Sequence, residues 1–341
     1  AWEIDLFGAN RRGREAADAR LSARTLDWHQ ARVSLAADVA GTYVNLRISE
    51  ALATGFERDA ASRRETARLT DLKTNAGFEA PANAALARAG AAEAHARLIA
   101  QRADVDLSVK QLVALTGLTE RAVRDALATA KALLPVSPAL AIERLPASTL
   151  SQRPDLASLE RELAALTADI GVAEADRYPR ISLTGSVGYS LGRAMGATTD
   201  GATWGFGPSI TLPIFDAGRR ASNVELVKAR YDEALAGYKA TASRAVREVE
   251  EALTQVHAAG LRKPDLAASL AGYQSFEKAA QARLAAGAGS VLELEDARRA
   301  VLAAQVGLLA LEREQLIATV SLYRAVGGGY SLADAATSPA P

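Results

Sequence analysis

Glycines recur at a fixed spacing along this chain. Gly77 and Gly287 stand 210 residues apart, and so do Gly117 and Gly327. The first pair lies in turn-like stretches, "NAGFEAPAN" (75–83) and "AAGAGSVLELEDAR" (285–298). The second closes helical stretches, "LVALTG" (112–117) and "LYRAVG" (322–327), where a glycine ends a helix by turning left-handed. "LFGANRR" (6–12) and "LPIFDAGRR" (212–220) also look alike, with Phe7 and Phe215 208 residues apart. Self-similarity over so long a period means that one structural unit is used twice. The unit reads as a strand, a strand-to-helix turn, a long helix, a tight turn and a returning helix. The strand-to-helix turns fall on Phe7 and Gly8 in the first copy, and on Phe215, Asp216 and Gly218 in the second.

The helices are predicted to be very long. No proline precedes Pro81, and the stretch before it is mostly Ala, Arg, Leu, Glu and Asp. A continuous helix over 10–72 would span roughly 95 Å at ~1.5 Å per residue. Apolar residues make up 49% of the chain but aromatics only 5%, so close helix packing on alanine is favoured over a bulky core. A second helix is expected over 84–115 and a short one near 119–130. "LLPVSPALAIERLP" (133–146) reads as a linker, and 151–179 as a further helix with Pro154 near its start. Ala217 to Leu284 reads as a long helix interrupted by Pro264. In the last helix Leu302, Val306, Leu309, Leu316, Val320 and Tyr323 form a heptad seam, broken only by Arg313. The division expected is a first repeat over 1–150, a second over 151–330 and a disordered tail over 331–341.

Within the second repeat the period changes to two. Ile181, Leu183, Val187, Tyr189 and Leu191 alternate with Ser182, Thr184, Ser186 and Ser190. Trp204, Phe206, Ile210, Leu212 and Ile214 alternate with Gly205, Gly207, Ser209 and Thr211. The predicted strands are 2–7, 181–191 and 204–214, with a polar loop over 193–203. The two alternating runs are near the ~9–11 residues of a tilted membrane strand. Trp2, Tyr178 and Trp204 sit near strand ends, where aromatic girdles form. Lipid leaves open sheet edges unsatisfied, so three strands cannot span a membrane alone and several chains would have to share a barrel. The rival reading is a soluble coiled-coil scaffold whose own helices cover the apolar strand face.

Other functions find little support. The 40 basic and 40 acidic residues balance, which argues against nucleic-acid binding. There is no cysteine, hence no disulfide, thiolate metal site or cysteine nucleophile. His29, His95 and His257 are isolated, and no nucleophile elbow or phosphate loop is present, so no enzyme, metal or cofactor is expected. No run is apolar enough for a membrane helix. The only methionine is Met195, and the chain reads as processed or truncated at its N-terminus.

Taken together, "RPDLASLERELAALTADIGVAEADRYPRISLTGSVGY" (153–189), "LPIFDAGRR" and "WEIDLFGANRR" resemble the TolC family of outer-membrane efflux factors, in its OprM/NodT-like branch. The resemblance covers nearly the whole chain and implies a mainly α fold with membrane β-strands. It implies a homotrimer in outer-membrane lipid, with a trimeric α-barrel reaching into the periplasm and a shared 12-stranded β-barrel. It implies passive conduction of small toxic solutes, with a periplasmic adaptor protein and an inner-membrane pump of the RND type as partners. A protein-secretion conduit of the same fold is the alternative. The family's first strand has no counterpart here. By the same resemblance, the tips at 74–83 and 285–296 would close the tunnel and dock the adaptor, with Gly77, Gly287 and Gly289 turning them. Asp296 of the "DARR" stretch would be the ring carboxylate of the periplasmic gate and Arg299 its partner, whereas the first tip has Leu86 at the matching place. The bland reading of Asp296 and Arg299 is an ordinary ion pair on a solvated helix.

Overall fold

The structure is a computed structural model that describes residues 1–128, 133–135, 152–194 and 197–329. In chain order the elements are β1 (Trp2–Ile4), α1 (Ala9–Asn75), α2 (Pro81–Thr116), α3 (Glu120–Ala128), α4 (Pro154–Ala175), β2 (Arg180–Ala194), β3 (Ala197–Thr211), α5 (Arg219–Ala285) and α6 (Val291–Ala325). The 210-residue period governs the helices: α1 starts at Ala9 and α5 at Arg219, and each runs for 67 residues. α2 starts at Pro81 and α6 at Val291, again 210 apart. Most of the linker expected over 133–146 and all of the tail expected over 331–341 lie outside the described residues.

Two compact units form, and each draws on both sequence repeats. One gathers Ala1–Gln30 with Ala147–Ala245, the other Ala31–Pro146 with Val246–Gly329. In the first, α4 packs on the opening turns of α1 through Ala16, Ala165 and Ala168, and on α5 through Ala173, Val224 and Val227. Alanine at these contacts lets the helices approach closely. Polar ties then fix the register: Arg20 donates to Asp169, the Ser158 hydroxyl to Asp27 at 2.6 Å, and the Tyr238 hydroxyl to Glu160 at 2.9 Å.

In the second unit, α1 and α2 pack through Ala60, Ala94 and Leu98. α3 closes over Leu46, Val109 and Leu112 with Val123. Arg47, fully buried, donates to the Leu127 carbonyl at 2.9 Å and to Glu50 at 2.8 Å, pinning α3 to α1. α6 packs on α1 through Val44, Ile48 and Leu316, and on α5 through Ala280, Leu294 and Ala297. Serving two neighbours widens its buried face beyond the predicted seam. Leu311, off that seam, is 2% exposed, whereas Tyr323 leaves the core and donates its hydroxyl to the Gly328 carbonyl at 2.5 Å.

Gly327, Gly328 and Gly329 all have positive φ and form the turn that follows α6. A Cβ on Gly328 would stand 2.6 Å from Val33 Cγ1 on α1. Gly328→Ala is therefore expected to lower stability by about 1–3 kcal/mol, read as a fall in the thermal midpoint in detergent. Gly117→Ala, strained but with open space, should cost less.

Two expectations about the elements need correction. Pro264 does not interrupt α5, which is continuous through it. Proline removes one helical N–H, and the carbonyl it leaves without a partner is that of Gly260, an exposed residue that water can reach. The strands also differ. β2 and β3 are 15 residues each and pair antiparallel from Arg180↔Thr211 to Ala194↔Ala197, so much of the supposed polar loop is sheet. The ladder is made by backbone groups and continues where side-chain alternation stops. Conversely, β1 ends at Ile4 and β3 at Thr211, because Asp5 and Pro213 already belong to the turns into α1 and α5.

The sheet order is β1-β2-β3. Pro208 sits opposite Leu183 on β3, which has a neighbour on one side only, so its missing N–H can face the free edge. The apolar face of the hairpin is uncovered: Val187 is 90% exposed, Trp204 74% and Phe206 75%. The soluble-scaffold reading required helices over that face.

Candidate functional site: helix tips and strand-to-helix turns

The two tips are built alike. In the first, the N–H groups of Ala76, Gly77 and Phe78 donate to the carbonyls of Leu72, Thr74 and Lys73 at 3.1, 3.0 and 2.9 Å. In the second, Ala286, Gly287 and Ala288 donate to Ala282, Leu284 and Arg283 at 3.0, 3.1 and 2.9 Å. This pattern closes a helix with a left-handed residue, and Gly77 and Gly287 supply it at φ 80° and 75°. Gly289 does something else. Its φ is not positive, but a Cβ there would lie 3.0 Å from the Leu284 nitrogen. The tips start their second helices differently: the Ser290 hydroxyl accepts from the Glu293 N–H at 3.1 Å, while Ala80 offers no side-chain cap and Pro81 begins α2.

Asp296 and Arg299 form an ion pair at 2.7 Å, each side chain 59% exposed. Leu86 is half exposed at the matching place in the first tip. One residue away, on the other face of α6, lies a buried cluster that sequence reasoning missed. Arg63 of α1 donates to Glu295 and, through Nε, to Asp59 at 2.9 Å. Arg298 donates to Glu295 at 3.0 Å and to the Thr66 hydroxyl at 2.6 Å. Arg63, Glu295 and Arg298 are all less than a tenth exposed. Gly90 of α2 faces the cluster, and a Cβ there would come within 3.4 Å of Arg63 Nη1. Glu295 and Arg298 have the same i,i+3 spacing as Asp296 and Arg299, so spacing could not say which pair is buried. Their helical phase with Leu294 and Ala297 was the available signal.

The strand-to-helix turns centre on Gly8 and Gly218, at φ 80° and 84°. These glycines are 210 apart, so the fold's register differs by two from the Phe7–Phe215 match. Phe7 and Phe215 are not counterparts. Phe7 stacks on Tyr178 with ring centroids 4.6 Å apart, while Phe215 is 89% exposed. The place matching Phe7 is Ala217, which has φ 52°, a left-handed conformation rare for a residue with a Cβ. Asp216 accepts from the N–H of Gly218 at 3.1 Å and of Arg220 at 3.2 Å, and from Arg220 Nη1 at 3.0 Å. Asp5, also missed, does the same for α1, accepting from the N–H of Asn10 and Arg11 at 3.1 and 2.8 Å. The Arg11 N–H, foremost, holds the Asp5 carboxyl below its ordinary range. Desolvation pushes the Asp216 carboxyl up, but the Arg220 and Gly218 N–H groups and the Arg220 guanidinium outweigh it and the net shift is downward.

No described helix is long and apolar enough to cross a membrane, and no metal-holding cluster of His, Asp or Glu occurs among the described residues. The strand hairpin carries a continuous exposed apolar face through Val187, Tyr189, Trp204 and Phe206. The family model for the outer membrane efflux protein matches residues 1–118 and 145–328. The chain belongs to the outer membrane efflux protein family. Nodulation protein T of Rhizobium leguminosarum bv. viciae is 32% identical over 97% of this chain and 68% of its own length. The solvent efflux pump outer membrane protein SrpC of Pseudomonas putida is 30% identical over 97% of this chain and 70% of its own. The crystal structure of the Campylobacter jejuni CmeC outer membrane channel superposes with a TM-score of 0.84 at 26% identity, covering 96% of this chain and 70% of that one. The fold is that of the TolC-type channels, mainly helical with membrane strands, as the resemblance implied. The protein is an outer-membrane efflux component with a periplasmic helical extension, in a family of channels rather than enzymes.

Proposed function

We propose that three copies of this chain assemble into one outer-membrane conduit that passes small toxic solutes or drugs outward without an energy source of its own. The observation that carries this is the strand hairpin, apolar and uncovered on one face and polar on the other, in a sheet with open edges. Lipid would cover the apolar face, neighbouring copies would meet the open edges, and the Ser, Thr and Gly face would line the lumen. Three strands from each of three copies make nine, so the 12-stranded barrel also takes, from each subunit, the family's first strand, which has no counterpart in this sequence. The solvent-efflux relative supports small organic solutes as cargo. Energy would come from an inner-membrane pump of the RND type, reached through a periplasmic adaptor at the Gly77 and Gly287 tips. In sequence terms the first repeat (1–150) and the second (151–330) would each give each subunit one helical hairpin of the α-barrel. Asp296, exposed beside the second tip, would ring the pore with carboxylates, Arg299 holding each in place.

Light scattering in mild detergent and in detergent-free buffer, on the chain with the family's first strand supplied, tests the assembly. The expected result is a trimer that needs detergent. A monomer or dimer indifferent to detergent would overturn it.

A further inference from the structure

Where the sheet gives way to the helices, a cavity of about 550 Å³ opens among Tyr178, Arg180, Thr211, Arg219, Ser222 and Asn223, among others. Its sheet-side wall comes from the polar face: Arg180 is in phase with Ser182 and Thr184, and Thr211 with Ser209 and Gly207. In a barrel whose polar face lines the lumen, the cavity therefore opens to the conducting path and not to lipid.

The lining is rich in donors. Arg180 is committed to Asp176 and lies 4.0 Å from Glu3, and Arg220 is committed to Asp216. Arg219 differs. It is exposed and makes no ion pair among the described residues. Ser222, Asn223 and Tyr178 line the same cavity, and each carries a neutral donor group. The carboxylate in the lining, Asp176, is already engaged by Arg180. An uncommitted guanidinium in a cavity that also offers neutral donors suits an anionic oxygen group, since Arg presents a planar fork to carboxylate or phosphate.

We propose that this cavity is a subsite for the carboxylate or phosphate groups of passing solutes, with Arg219 as the residue that selects for negative charge. The proposal rests on the channel reading above. It places a positive element at the strand end of the path, of opposite sign to the carboxylate at the helix tips.

Planar-bilayer recording of the protein tests it, with inorganic phosphate as probe. Wild type is compared with Arg219→Gln, Arg219→Glu and Arg219→Lys under a KCl gradient. Arg219→Gln is expected to lower the chloride-to-potassium permeability ratio about twofold, and Arg219→Glu further, while Arg219→Lys holds it near wild type. Phosphate should depress the current of wild type and not that of Arg219→Gln. The effects should shrink at high salt. A conducting wild type whose ratio and phosphate response are unchanged in Arg219→Gln would overturn the subsite and leave the channel standing. A wild type that conducts nothing would overturn the channel reading, and the subsite with it.

Discussion

Replacing Glu295 by Ala is expected to cost about 3–5 kcal/mol of stability, the largest loss for any single side chain described here. The carboxylate answers two guanidinium groups, Arg63 and Arg298, both less than a tenth exposed. Without it, Arg63 keeps only Asp59 as a carboxylate partner, and its Nη2 already lacks one. Water cannot easily take the place of the missing group, because α1, α2 and α6 close around it, with Gly90 holding the α2 backbone near. Denaturant unfolding in detergent reads the effect. A loss under about 1 kcal/mol would mean that solvent reaches the cluster after all. Asp296→Ala is the control: one residue away, but 59% exposed, it should leave stability nearly unchanged.

The same Asp296→Ala variant carries the second prediction, on transport. Under the proposed assembly three Asp296 carboxylates face one another around the narrow tip. Their mutual repulsion favours an open tip, and their field favours cations. Removing them should lower the potassium-to-chloride permeability ratio several-fold in planar bilayers, opposite in direction to the Arg219→Gln change. A ratio identical to wild type would leave Asp296 and Arg299 as a solvated surface pair. Glu295→Ala and Asp296→Ala thus divide two adjacent carboxylates between holding the fold and facing the pore.

The long helices were legible because their composition leaves little alternative: alanine-rich stretches end at Gly77, Gly117 and Gly287, and Pro264 alone falls inside one of them. The errors have separate physical causes. Pro264 was read as a break, yet a long helix can lose one hydrogen bond at an exposed carbonyl. β2 and β3 outran their side-chain alternation because ladder bonds belong to the backbone. Phe7 was matched to Phe215 by its letters, but the backbone pairs Gly8 with Gly218, since only the left-handed positions are tied to the turn. The buried cluster of Arg63, Glu295 and Arg298 was hidden because a charged pair has the same spacing inside a helix contact as outside. Its partners lie far off in sequence, which one chain without its fold does not show.

The equal 67-residue lengths of α1 and α5 restrict how such a chain can change in size. Deleting one residue from α1 alone would rotate everything beyond it by about 100° and draw its tip back by ~1.5 Å. The Arg63–Glu295 contact would then be out of phase, and the two tips would no longer finish level. Removing seven residues nearly restores the phase but leaves one arm about 10 Å short. Only a matched excision, seven residues from each of the four long helices, keeps phase and level together. Length in this protein is therefore quantised in heptads and inherited in fours, because each long helix is held in phase by its neighbours.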